Sequence, residues 1–137
     1  MKKIKWDWEK IRRLLPYLVL LGAWLFSVGI YAYLGTHNLD SDQSSDLVMA
    51  QLLNEEGSLI SKNWYHSTEL CVMGSIPVYQ LGMLIFESWH MVRVFAIAVL
   101  LLGMALSFIY LMRAIGVEEA GVYASACLIL PVRHADA

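Results

Sequence analysis

Three carboxylates, Asp40, Asp42 and Asp46, fall within seven residues, and this is where the chain's types and spacing first suggest chemistry. Asp40 and Asp42 are one residue apart, so in a loop both can converge on a single ion. Hard oxygen ligands of this kind suit magnesium, calcium or manganese rather than zinc. A single carboxylate can instead take a proton from a hydroxyl as general base. The run lacks the later glycine and closing glutamate of a calcium-binding loop. The same residues can simply cap a helix and solubilise a loop. Glu69 is a further candidate: it begins an apolar stretch and can either join the first cluster or serve as that segment's polar end. Lys62 and Arg93 are the only Lys or Arg between residues 35 and 93. A phosphate-bearing lipid substrate needs such cations, and each can equally anchor to headgroups. His37, His66 and His90 show neither HxxxH nor HExxH spacing, and Cys71 and Cys127 form no CxxC pair. No nucleophilic-serine motif, phosphate-binding glycine loop or dinucleotide fingerprint occurs.

These residues sit between long apolar runs. Of 137 residues, 58% are hydrophobic and 16% charged, and the mean hydropathy is +0.55. Soluble domains carry about 45–50% apolar and about 25% charged residues. The excess here is gathered into runs, which indicates a bilayer rather than a water-surrounded core. Six of the ten Lys and Arg lie in residues 1–13. That segregation gives an orientation rather than a nucleic-acid surface, and it holds the N-terminus in the cytoplasm.

The expected fold is all-α and integral to the membrane, one domain over residues 1–137. Residues 1–13 form the cytoplasmic basic segment. Residues 14–34 form an uncharged span whose length of roughly 30 Å matches the hydrocarbon core. A cleaved signal peptide is the competing reading, but its apolar region would be shorter. Pro16 is expected near the helix start, where its missing N–H costs little. Residues 35–93 form an external loop with interfacial helices. Within it, Ser45 to Glu56 reads as a helix, with Asp42, Ser44 or Ser45 as cap, Asp46 favouring the positive end of the dipole, and Gly57 closing it. Leu47, Val48, Ala50, Leu52 and Leu53 make its apolar side. Residues 70–86 are apolar but interrupted by Gly74, Pro77, Gln80 and Gly82, and read as a second interfacial or re-entrant segment. Residues 94–112 form the second span. Residues 120–132 are too few to cross and read as the beginning of a third, truncated helix on the cytoplasmic side. Arg93 then lies at the external interface, where it can snorkel, pair with Glu87 or meet a ligand anion.

This order of parts resembles the N-terminal portion of polytopic bacterial glycosyltransferases with the C-type membrane fold, relatives of protein O-mannosyltransferases and aminoarabinose transferases. Most of the similarity lies in residues 38–69, from Asn38-Leu39-Asp40-Ser41-Asp42 to Trp64-Tyr65-His66-Ser67-Thr68-Glu69. The resemblance implies a polyprenyl-phosphate sugar donor and an acidic residue of the first external loop that is catalytic or binds a divalent cation, magnesium or manganese. Asp42 matches that position best and Asp40 second. Glu69 falls where relatives place substrate-contacting groups. Two features depart from the pattern: Asp42-Gln43 stands where the family has Asp-Glu, and later spans are missing. The resemblance thus implies a plasma-membrane protein, inactive alone, that carries part of a glycosyltransferase. The alternative is a small non-catalytic membrane protein that anchors or assembles with a larger partner's helices.

Overall fold

The computed structural model describes residues 8–35, 41–59, 61 and 74–131. Among them the regular structure is entirely helical: α1 (Trp8–Leu34), α2 (Ser41–Glu56), α3 (Ile76–Met83), α4 (Trp89–Ala114) and α5 (Glu118–Ile129). Both long helices outrun the uncharged stretches that define them. Because α1 begins at Trp8, Pro16 lies inside the helix rather than at its start. Its ring nitrogen has no proton, so the Arg12 carbonyl loses its intrahelical partner.

α1 and α4 are long and apolar enough to cross a membrane, and only 11% and 17% of their most apolar stretches are buried within the protein. The intervening helices are short. α2, at 16 residues, begins four positions earlier than its sequence suggests. It ends where Gly57 takes φ 60°, with Ser58 N–H donating to Leu53 O at 3.1 Å and Gly57 N–H to Asn54 O at 3.3 Å. This is the left-handed closure that a glycine makes cheaply. The eight residues of α3 rise only about 12 Å, so this helix cannot cross a bilayer.

The chain divides into two compact units. Unit 1 comprises Met1–Ser27 and Leu101–Ala137, and unit 2 Val28–Leu100. In unit 2, Leu47, Met49, Ala50 and Leu53 of α2 pack with Ile76 and Tyr79 of α3 and with Val92 and Ala96 of α4. Leu47, Ala50 and Leu53 of the expected apolar side are therefore covered by protein, Met49 joins them, and Val48 stays exposed. Gly82 makes the close packing of α3 on α4 possible, since a Cβ there would stand 3.1 Å from both Val92 and Phe95 side chains. Phe86 and Phe95 add a tilted ring contact at 5.9 Å.

In unit 1, α4 turns into α5 through Gly116 at φ 80°, with Val117 N–H bonded to Met112 O at 3.0 Å. α5 does not run on to residue 132. It stops at Ile129, and Leu130 is extended (ψ 137°), as a residue preceding proline prefers to be. Twelve residues rise about 18 Å, too little to span. The buried hydroxyl of Ser27 donates to Ile129 O at 2.8 Å and so satisfies one of the carbonyls that a helix end leaves open.

Candidate functional site

The start of α2 lies over a polar centre inside unit 2. Asp42 is in the first turn of α2 and exposed. The next residue, Gln43, fixes that turn: its Oε1 accepts from Arg93 Nη2 at 2.7 Å. Arg93 Nη1 donates to Gly35 O, just past the end of α1, at 3.0 Å. Arg93 is only 8% exposed. A guanidinium so placed needs hydrogen-bond acceptors, because burying an uncompensated charge is costly. Its planar fork reaches two acceptors in different directions, and here it ties the end of α1 to the start of α2.

One turn further along α2, Asp46 Oδ2 accepts from Ser75 Oγ at 2.6 Å. Asp46 therefore does not serve as a cap; it lies inside the helix and holds the segment that leads into α3. The same bond explains why Ser75, the residue preceding α3, makes no side-chain cap to that helix. Tyr79 lies one turn beyond Ser75. Burial pushes its phenol above the usual tyrosine value, and the nearby negative charge of Asp46 pushes the same way. The positive charge of Arg93 and a hydrogen bond with Ser75 act in the opposite direction. Asn54 Nδ2 adds a tie to Gln80 O at 3.2 Å.

The sequence candidates thus separate. Arg93 is bonded to Gln43, the chain neighbour of Asp42, while the Asp42 side chain itself is exposed. Asp40, Glu69, Lys62, His37, His66 and Cys71 lie outside the described residues. His90 lies in the first turn of α4, and its Nδ1 is buried with no hydrogen-bond partner among the described residues. Among the described residues no three His, Cys, Asp or Glu side chains are grouped to hold a metal ion. Cys127 is a free, exposed thiol. The sequence alone does not mark Gly35, Ser75 and Tyr79, nor the contact of Gln43 with Arg93. The available signals were spacing: Gln43 and Asp46 are three apart on α2, and Ser75 and Tyr79 four apart along the chain into α3, so each pair shares a helix face.

Unit 1 holds a different feature, an apolar cavity of about 240 Å3, open on one side. Tyr17, Leu20, Leu21 and Trp24 line it from α1, Leu102 and Ala105 from α4, and Ile129 from α5. Comparison with known proteins gives no assignment for either site: no family model, no curated protein and no solved structure matches the chain.

Proposed function

We propose that the chain is a plasma-membrane protein crossed by α1 and α4, with its N-terminus in the cytoplasm, and that the outward-facing α2–α3 segment is the acidic entrance of a lipid-linked-sugar glycosyltransferase. The membrane reading is supported by the lipid-like faces of the two long helices. Apolar surface so extensive and so little buried calls for hydrocarbon around it. The catalytic reading is carried by one observation: Asp42 is exposed on a helix turn that the buried Arg93 holds through Gln43. A carboxylate on a fixed turn is what general-base chemistry requires.

In the proposed step the acceptor hydroxyl gives its proton to the Asp42 carboxylate and its oxygen bonds to the sugar's anomeric carbon. The bond from that carbon to the phosphate oxygen breaks, and polyprenyl phosphate leaves with the electron pair. Asp40 is the second candidate for the same role. Glu69 and Lys62 are candidates for donor contact. Arg93, a candidate for the phosphate by sequence, acts instead as a positioning residue, since it is buried and its fork is bonded to Gly35 and Gln43. Asp42 can also offer one hard oxygen to magnesium or manganese.

Because the chain is expected to be inactive alone, the test is transfer from a radiolabelled polyprenyl-phosphate hexose in native membranes, where the chain keeps its partners. Asp42→Asn is expected to lower transfer by about 100-fold or more, the usual scale for losing a general base. Glu55→Gln, exposed on the same helix, is expected to leave it unchanged. Equal transfer with Asp42→Asn removes the role. No transfer by the unaltered chain, together with its extraction in a complex with an unrelated membrane protein, replaces this reading with the alternative of a non-catalytic assembly partner.

A further inference from the structure

We infer that the cavity of unit 1 holds a segment of hydrocarbon chain from an acidic phospholipid, with the phosphate at the Tyr17 end. The inference rests on the membrane reading above but not on the glycosyltransferase reading. Three observations carry it.

The first is size and lining. An apolar cavity of roughly 150 Å3 already holds a benzene ring, so about 240 Å3 accommodates a short stretch of chain but not a whole lipid. The open side lets the rest of the molecule continue into the bilayer. The second is direction. Tyr17 and Trp24 both line the cavity and lie about 10 Å apart along α1, so the cavity runs along the helix as a lipid chain does. The third is charge. At the Tyr17 end, Arg113 Nη2 donates to the Tyr17 hydroxyl at 3.5 Å. Arg12 and Arg13 are exposed on α1 about one turn before Tyr17. Glu9 lies one turn before Arg12 and Arg13 on α1, and Glu118 and Glu119 follow Arg113 across the Gly116 turn; with Lys10, the cations of these described stretches outnumber the carboxylates four to three. Guanidinium groups at the mouth of an apolar slot complement a phosphate whose chains lie in the slot. They would sit in the cytoplasmic leaflet, where acidic lipids are concentrated.

Trp24 reports on the cavity directly. The full chain is prepared with Trp24 as its only tryptophan and placed in phosphatidylcholine bilayers. Dibrominated phosphatidylglycerol or dibrominated phosphatidylcholine is then added at equal mole fraction. A second chain keeps only Trp89. The expected result is that the glycerol lipid quenches Trp24 with about fivefold higher apparent affinity, the factor that one cation near an anionic membrane surface provides. Trp89 should show no such preference. Ala105→Phe and Leu102→Phe, which fill the slot, should both abolish the preference while helix content by circular dichroism is retained. Arg113→Gln should reduce it and Arg113→Lys preserve it. Equal quenching by both lipids overturns the inference, as does a preference that survives both filling variants. Trp24 shielded from both lipids while Trp89 is quenched gives the slot to another protein helix and also overturns it. Failure to quench either tryptophan removes the membrane reading, and this inference with it.

Discussion

Arg93 shows how one buried charge can organise a site. It has the fork needed to meet both the Gly35 carbonyl and Gln43, and hydrogen bonds to charged groups contribute about 1.5–3 kcal/mol each. Arg93→Met should therefore destabilise unit 2 by about 3 kcal/mol, read by denaturant unfolding. Arg93→Lys should recover little, because an ammonium does not reproduce the fork. Gln43→Glu is expected to act oppositely, raising the melting temperature by turning a neutral acceptor into a charged one. Tyr79 adds a pH dependence of known sign. Its folded pKa is raised, so the phenol is neutral in both states below about pH 10 and costs nothing there. Above that the unfolded chain ionises first, and stability falls as pH rises through the folded pKa. Melting scans carried from neutral pH upward past the ordinary tyrosine value should show this loss, and Tyr79→Phe should remove it.

At the scale of elements, the sequence was most informative where length and charge decide. The uncharged runs located α1 and α4, although both helices continue into flanking charged and aromatic residues. It was least informative where partners lie far along the chain. The beginning of α2 was misplaced by four residues because Asp42, Ser44 and Ser45 have the composition of a cap. What makes them helical is Gln43 meeting Arg93 and Asp46 meeting Ser75, 50 and 29 positions away, and no local pattern shows that. Gly82 looked like a helix weakener and is instead a contact that lets α3 approach α4. Two glycines of unit 1 make the same distinction testable. A Cβ at Gly121 would come 2.5 Å from Met112 Cβ, whereas one at Gly103 meets nothing within 4 Å. Gly121→Ala should destabilise by about 1–3 kcal/mol, the range for overpacking. Gly103→Ala should be neutral or stabilising by up to about 1 kcal/mol, from helix propensity. Thermal unfolding of the two variants compares them.

At the scale of the whole molecule, two apolar helices long enough to span are separated by two that are not, and the acidic turn lies in the shorter pair's unit. How much of the candidate site could be read in advance follows from this. The position of Asp42 just after a long apolar run is legible in the sequence, but the support of its turn is not, because Gly35, Gln43 and Arg93 are brought together only by folding. Function depends on which side of a membrane that turn faces. Two chains lacking Cys71 and Cys127 settle it, one carrying Glu55→Cys and the other Glu119→Cys, both at exposed positions. Intact cells are treated with a membrane-impermeant maleimide. Position 55 is expected to be labelled at once and position 119 only after the membrane is permeabilised. Labelling of both positions from the same side, or of position 119 alone from outside, contradicts it.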